Sequence, residues 1–321
     1  MIQTKDLDLI NRELRSVNYI METRTILDLI DSINAWIENG ECGGIVYGKP
    51  RIGKTWAMHY IKNQIAIEYG SDMPVYIHAA IPHNIISEKT FLSEMLRAVG
   101  HAEVYKGTAL QMKDRLISTI ISKAKDTELR KAILFIDEAQ YLSPKEFAWL
   151  MGIYNTLCIY DIQLITVLFG SLELKSLKNS LCLTNQHQIV GRFMVEEYNF
   201  HGIISARDVC ACLNYVDQEV QLGNIGTIIL TKEFFPDAYK AGERLVRSTN
   251  IFWDAFKNIV KENKLKVDEM EMKFFINALV ACLLNFGKYG KSHYFPDQND
   301  WLESLNQCGY IKFRKGLDNV A

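Results

Sequence analysis

The chain has 321 residues, of which 48% are hydrophobic and 23% are charged. This is the composition of an ordinary globular protein with one large or two modest domains, and it excludes disorder, collagen and coiled coil as descriptions of the whole chain. The 36 basic and 38 acidic residues nearly cancel. Bulk positive charge therefore does not hold this chain on a nucleic acid, and any such contact requires a local patch.

Apolar runs are too short or too interrupted to predict a membrane segment. The longest, residues 274–286, contains Asn277 and Asn285 and falls short of the about 20 residues that span a bilayer. Charged residues interrupt residues 1–18, a pattern unlike that of a signal peptide. The seven cysteines lack zinc-binding spacing and are expected to be reduced, mostly buried thiols. We expect a cytoplasmic chain that does not bind a membrane.

Strands and helices are predicted to alternate in the first two thirds of the chain. The apolar run at 132–136 is typical of a strand buried on both faces. Helical spacing follows at 145–157, with Ser143 as candidate N-cap before Pro144. The predicted strands are residues 44–47, 75–80, 132–136, 162–169 and 195–200. Such alternation predicts an α/β fold, a parallel five-stranded sheet with flanking helices.

Helical spacing dominates from residue 205 onward. The predicted helices are residues 209–221, 236–248, 251–262 and 269–286. We therefore expect a helical lid domain after the sheet. The predicted boundaries are an N-terminal helical segment at 1–40, an α/β domain at 41–203, the lid at 204–290 and a C-terminal tail at 291–321.

A glycine-punctuated loop between the first strand and the next helix matches the phosphate-binding pattern GxxxxGK[ST] in full. Its residues are Gly48, Lys49, Pro50, Arg51, Ile52, Gly53, Lys54 and Thr55. The pattern lets backbone N–H groups surround phosphates at a helix N-terminus. Lys54 is expected to reach the β and γ phosphates of ATP, and the Thr55 hydroxyl to bind Mg²⁺. The alternative is an ordinary glycine turn before a helix.

An acidic pair follows the buried strand at 132–136. Open α/β sheets place ligand chemistry at the carboxyl ends of their strands. Asp137 is therefore a candidate Mg²⁺ ligand, and Glu138 a candidate general base that orients and deprotonates the attacking water. The pair predicts an ATPase, unless it is only a solvated strand end.

Two further candidates follow the later strands. Ser171, directly after the strand at 162–169, is expected either to sense the γ phosphate or to act as a helix N-cap. Arg192 precedes the last strand, where an arginine can reach the nucleotide of a neighbouring subunit and stabilise the transition state. The alternative for Arg192 is a surface salt bridge.

Together these motifs resemble the AAA+ ATPases and, within them, the TnsC/TniB/MuB family of DNA transposition regulators. The resemblance covers residues 20–265 and is carried by GKPRIGKT at 48–55, ILFIDEAQYL at 133–142, GSLE at 170–173 and QIVGRF at 188–193. A branch of secretion ATPases shares the DEAQ sequence.

The resemblance implies a function and roles for single residues. Lys54 and Thr55 bind ATP and Mg²⁺, Asp137 and Glu138 are the metal and catalytic acids, Ser171 is sensor 1 and Arg192 is the arginine finger. It also implies a homo-oligomer, a ring or a helical filament, on double-stranded DNA. Such an assembly recruits a transposase and links it to a target-selection protein or complex.

Two features depart from this family's pattern. Arg51 occupies a loop position that is usually glycine, so the backbone there is expected to avoid strongly positive φ. No clear sensor 2 motif is present, and Arg244 and Arg247 are the candidates for that role.

The resemblance also implies that DNA contacts the region after the second strand. Residues 101–131 contain seven basic and four acidic residues. The candidates for phosphate contact are Lys106, Lys113 and Arg115, against the alternative of a solvated helix face. A second basic cluster, at Lys312, Arg314 and Lys315, can serve DNA, a partner or the solubility of the tail.

Two other functions fit the same motifs. One is an AAA+ ATPase of a secretion or signalling system that has no DNA role. The other is an ATP-gated scaffold in which ATP hydrolysis is slow. The presence of Glu138 argues against a complete loss of hydrolysis.

Overall fold

The computed structural model describes residues 12–14, 21–222, 226–266 and 269–318. Much of the predicted N-terminal segment therefore lies outside the described residues. By its internal contacts the chain divides into two compact units. The sheet unit comprises Asp28–Lys49 and Ala57–Phe200, and the helical unit comprises Met1–Leu27, Pro50–Trp56 and His201–Ala321. The domain boundaries given above stay predictions.

The sheet unit contains the predicted parallel five-stranded sheet. Its strands are β1 (Gly43–Tyr47), β2 (Val75–Ala79), β3 (Lys131–Asp137), β4 (Gln163–Gly170) and β5 (Glu196–Asn199). Their order is β2-β3-β4-β1-β5, and every pairing is parallel. Because all strands run the same way, the carboxyl ends of β3, β4 and β1 lie along one edge.

The central strands consist of continuous runs of apolar residues because both faces of the sheet are buried. In β3 every residue after Lys131 is buried. Leu134 and Ile136 belong to one cluster with the neighbouring helices. Ile133 and Phe135 alternate with them, so they point to the opposite face, where they are also fully buried.

Helices flank the sheet, as predicted. They are α1 (Arg24–Glu38), α2 (Lys54–Glu68), α3 (Glu88–Ala98), α4 (Ala109–Ala124), α5 (Pro144–Ile159), α6 (Leu172–Leu183) and α7 (His187–Phe193). Ser143 caps α5 with a complete capping box, in which the Glu146 side chain accepts from the Ser143 backbone N–H at 2.8 Å. The cap predicted from Ser143 and Pro144 is thus confirmed.

Most of the helical unit follows residue 200. Its elements are α8 (Ala206–Val216), β6 (Val220–Leu222), β7 (Gly226–Ile228), α9 (Leu230–Phe234), α10 (Pro236–Lys240), α11 (Thr249–Glu262), α12 (Met272–Phe286), α13 (Gln298–Gln307) and α14 (Tyr310–Asp318). Its core includes the edge-on pairs that Phe252 makes with Phe275 and with Trp301, whose ring centroids lie 5.2 and 5.1 Å away.

Two details of the helical prediction are wrong. The helix predicted over 209–221 ends at Val216, because the Asp217 carboxylate accepts from the backbone N–H groups of Leu245 and Val246 at 2.9 and 2.8 Å. An antiparallel pair, β6 with β7, follows it. The helix predicted over 236–248 is interrupted at Gly242, whose φ of 90° is left-handed.

Two sequence expectations concern membrane helices and thiols. Among the described residues, no helix has the length and apolar character needed to cross a membrane. The seven cysteines are free thiols, but only Cys212, Cys282 and Cys308 are buried, so the expectation that most are buried is wrong.

Candidate nucleotide-binding site

The phosphate loop starts at the carboxyl edge of the sheet. Tyr47, the last residue of β1, is in register with Gly170, the last residue of β4. The next residue, Gly48, donates its N–H to the Gly170 carbonyl at 3.3 Å. The loop therefore begins beside the end of β4, where an open α/β sheet places its ligands.

The rest of the loop belongs to the helical unit and is strongly turned. Gly53 has a φ of 107° and Arg51 a φ of 66°. Ile52 is fully buried, and Lys54, only 9% exposed, is the first residue of α2. Left-handed residues in a turn direct backbone N–H groups toward one concave side, the geometry of anion-binding loops.

The expectation that Arg51 avoids strongly positive φ is wrong. A left-handed backbone costs a non-glycine residue about 1–2 kcal/mol. The Arg51 guanidinium lies over the ring of Phe313 in α14, 4.7 Å from its centroid. A cation–π contact of this kind contributes about 0.5–1 kcal/mol at an exposed site and so offsets part of that cost.

The acidic pair lies at the end of β3. Asp137 is only 7% exposed, and its carbonyl accepts from Ala80 N–H at 2.9 Å, which joins it to the chain beyond β2. One Asp137 carboxylate oxygen, Oδ1, accepts from the Glu138 backbone N–H at 3.0 Å. Glu138 is exposed and left-handed, with φ 53° and ψ 35°. The pair thus combines a buried carboxylate with an exposed one.

Gln140 connects Glu138 to the end of β4. Its amide Nε2 donates to Glu138 Oε2 at 2.6 Å, and its Oε1 accepts from the Ser171 backbone N–H at 3.2 Å. A Cβ on Gly170 would lie 2.4 Å from Gln140 Oε1, so the bridge needs glycine at that position. Gln140 was missed from the sequence, where its place in DEAQ was the only signal for it.

Ser171 is the N-cap of α6. Its Oγ accepts from Glu173 N–H at 3.2 Å. Because a hydroxyl that accepts a hydrogen bond can still donate its own proton, capping leaves Ser171 able to donate to a phosphate oxygen. Its role as sensor stays a prediction.

Arg192 contacts α5 within its own unit. It lies on α7, its Nη1 donates to Asn155 Oδ1, and its guanidinium is 4.5 Å from the centroid of the Tyr154 ring. Burial and hydrogen bonds with two thiols raise the pKa of the Tyr154 phenol, so the ring beneath Arg192 is neutral. No carboxylate in the described part of the chain pairs with Arg192. Its role as arginine finger stays a prediction.

A buried histidine lies on β2, next to the acid strand. His78 is 7% exposed and in register with Ile136. Burial, followed by the charges of His83 and Arg97, lowers the pKa of His78 to about 4. Glu94 lies 3.9 Å from His78 and 3.1 Å from His83. Burial outweighs this distant carboxylate, and His78 is neutral at neutral pH.

The basic residues proposed for DNA contact are partly engaged within the sheet unit. Lys106 is 75% exposed and pairs with Glu103 at 3.0 Å. Arg115 is 3.6 Å from the same carboxylate and donates to the Lys106 carbonyl. Lys113 is half-buried, and its amine lies near Gly152 of α5. Lys106 is therefore the most accessible of the three.

Several arginines of the helical unit are also held locally. Arg314 pairs with the buried carboxylate of Glu271 at 2.8 Å. Arg244 lies over the Tyr239 ring at 3.6 Å, and Arg247 pairs with Glu243 at 3.0 Å. Of the C-terminal cluster, Arg314 is thus held locally, whereas Lys312 and Lys315 are exposed.

Comparison with known proteins identifies the segment that carries these features. Residues 38–177 match the AAA domain family. This AAA domain match includes the phosphate loop, the acidic pair and Ser171, and the sheet with its flanking helices has the AAA+ fold. None of the curated proteins compared with the chain matches it.

Solved structures of ORC and DnaA proteins are similar over most of the chain. ORC2 from Aeropyrum pernix, in ADPNP and ADP complexes, is 12% identical, with 95% of this chain and 98% of that chain covered and a TM-score of 0.47. Domain III of DnaA from Thermotoga maritima is 13% identical, with 93% of this chain and 97% of that chain covered and a TM-score of 0.45. Drosophila ORC bound to AT-rich DNA and Cdc6 is 11% identical, with 89% of this chain and 41% of that chain covered and a TM-score of 0.48.

Proposed function

We propose that this chain binds and hydrolyses ATP with Mg²⁺. The observation that carries the proposal is the common edge of the sheet, where the start of the phosphate loop, the acidic pair and Ser171 follow the ends of neighbouring strands. A turned loop leading into a helix suits a polyphosphate, and a hydroxyl with a buried carboxylate suits Mg²⁺, which prefers oxygen ligands. The AAA domain match supports the same chemistry.

Each proposed residue has one task. Loop N–H groups and Lys54 bind the phosphates, while Thr55 and Asp137 hold Mg²⁺, which when bound neutralises charge on the phosphate oxygens. Glu138 orients the attacking water and accepts its proton. Ser171 donates to the γ phosphate. Arg192 completes the site of a neighbouring subunit by stabilising negative charge in the transition state.

We further propose that the ATPase regulates DNA transposition. Support comes from the sequence resemblance to TnsC, TniB and MuB, carried by the loop, the DEAQ sequence and QIVGRF at 188–193. In this role the chain forms a homo-oligomer on target DNA, a ring or a helical filament, and links a target-selection protein or complex to a transposase. Many subunits that each contact one or two phosphates can hold DNA despite a net charge of −2.

The hydrolysis proposal is tested with single substitutions in the purified chain. Lys54→Ala should abolish ATP binding, and Glu138→Gln should retain binding and lose turnover. Lys62→Ala, an exposed lysine on the same helix α2, is the matched control and should behave as wild type. Undiminished ATP affinity in Lys54→Ala would remove the loop assignment.

The transposition proposal is tested by electron microscopy of the chain mixed with duplex DNA and ATP. We expect oligomers on DNA that persist longer in Glu138→Gln. Monomers under every nucleotide condition would contradict the proposal. ATPase activity indifferent to DNA, together with binding to membranes, would support a secretion or signalling role instead. An assembly lifetime unchanged by Glu138→Gln would support the slow scaffold.

A further inference from the structure

The hydrogen bonds at the end of β3 point to a positioning residue for the hydrolysis reaction. We propose that Gln140 fixes the Glu138 carboxylate for proton transfer and joins it mechanically to Ser171 at the start of α6. This inference rests on the proposed ATPase function, because it assigns Glu138 the role of general base.

Glu138 needs an external constraint on its side chain. The residue is exposed and its backbone is left-handed, so neither packing nor a helix restricts its rotamers. The hydrogen bond from Gln140 Nε2 to Oε2, at 2.6 Å, supplies that constraint. A general base acts well only when it is within hydrogen-bond reach of the proton that it takes.

The orientation of the Gln140 amide is determined by both of its neighbours. Ser171 offers an N–H donor and Glu138 offers a carboxylate acceptor, at 3.2 and 2.6 Å. A flipped amide would face N–H with NH₂ and carboxylate with carbonyl, so both contacts would become repulsive. The amide therefore holds one orientation, with its donor side toward Glu138.

This arrangement distinguishes the two oxygens of Glu138. Gln140 donates to Oε2, so in this proposal Oε1, which Gln140 does not contact, receives the proton. In the proposed step the water oxygen bonds to the γ phosphorus, its proton passes to Oε1, and the bond from the γ phosphorus to ADP breaks. Gln140 takes no proton and forms no covalent bond.

The second contact of Gln140 extends the constraint to α6. Ser171 caps that helix through Oγ while its N–H donates to Gln140 Oε1. A movement of Ser171, for example on contact with a γ phosphate, is therefore transmitted to the Glu138 carboxylate through a single amide. Gln140 thus joins the residue proposed to sense the γ phosphate to the proposed base.

The test compares steady-state ATP hydrolysis and ATP binding in Gln140→Ala, Gln140→Glu and Glu138→Gln. Gln140→Ala should lower kcat about tenfold or more while KM changes less than about threefold, because the base is misplaced but the phosphate contacts remain. Gln298→Ala, at an exposed glutamine that begins α13, is the control and should keep wild-type kinetics.

Gln140→Glu adds a readout that a merely structural role would not change. It is nearly isosteric, but its carboxylate offers no donor to Glu138 and repels it, so kcat should fall at least as far as in Gln140→Ala while KM changes less than about threefold. Melting temperatures identify any variant that fails to fold.

The outcomes separate this inference from the proposed function. If Glu138→Gln keeps its turnover, the assignment of the base fails. If Glu138→Gln loses turnover while a folded Gln140→Ala keeps wild-type kcat, the positioning role alone is overturned. A folded Gln140→Glu variant with wild-type kcat would also overturn it.

Discussion

The guanidinium carbon of Arg51, in the phosphate loop, lies 4.7 Å from the centroid of the Phe313 ring on α14. Phe313 in turn packs on Phe274 of α12, with 5.1 Å between ring centroids. A left-handed loop residue is thus held by a helix near the C-terminus.

Phe313→Ala should weaken ATP binding by about two- to five-fold, because a cation–π contact of about 0.5–1 kcal/mol no longer supports the loop conformation. Arg51→Gly should remove this dependence, since glycine adopts positive φ without a partner. The measurement is a double-mutant cycle of nucleotide affinities. Ile311→Ala, on the same helix, is the control, and additive effects of the two substitutions would contradict the coupling.

Mixing two inactive variants tests whether Arg192 acts across a subunit interface. We expect Arg192→Ala to bind ATP without turnover, and Lys54→Ala not to bind ATP. In a mixed oligomer, an Arg192→Ala subunit keeps Lys54 and can receive Arg192 from a Lys54→Ala neighbour. ATPase activity should therefore reappear on mixing. A mixture as inactive as its components, although it assembles, would contradict action in trans.

Burial of His78 predicts a pH dependence of stability. Its pKa falls from 6.5 to about 4 on folding, so between these values the unfolded chain binds more protons than the folded chain. The neutral His78 side chain contributes at most about 3 kcal/mol to the free energy of unfolding. This contribution is complete above pH 6.5 and is lost as the pH falls toward 4. Denaturant unfolding of His78→Leu should show a smaller fall of unfolding free energy over this window. The exposed His59→Leu should follow wild type, and identical slopes for all three proteins would contradict the prediction.

The pairing of Glu103 with Lys106 predicts opposite effects of two substitutions on DNA binding. The hydrogen bond from Lys106, together with its charge, lowers the pKa of Glu103, so the carboxylate is ionised and competes with DNA phosphates for the lysine. Lys106→Ala should weaken binding to every duplex sequence. The slope of the logarithm of the binding constant against the logarithm of the salt concentration should fall in magnitude by about 1 for each phosphate that the protein no longer neutralises. Glu103→Gln should strengthen binding. Equal affinities and salt slopes in all three proteins would exclude this loop as a DNA contact.

The sequence predicted most of the sheet because its signals are local. The apolar run before Asp137 marks β3, and Ser143 with Pro144 marks the start of α5. The helix predicted over 236–248 had the correct period, but a single left-handed residue, Gly242, interrupts it. Periodicity alone does not reveal such a break.

Site residues that stand at a characteristic spacing could be predicted from the sequence. Contacts between residues that only folding brings together could not. The Asp137–Glu138 pair was recognised from its position after a strand. The bridge from Gln140 to Ser171 depends on the register of β3 and β4, and the contact of Arg51 with Phe313 joins distant parts of the sequence. Neither can be read from a local pattern.

The close approach of Gln140 to Gly170 constrains how this sequence can diverge. The space that a side chain would fill at position 170 is taken by the Gln140 amide. A shorter residue at position 140 would remove the closest contact of a Cβ at position 170, although the Leu174 side chain, 3.1 Å from that Cβ, would still have to shift. The two positions should therefore change together during evolution.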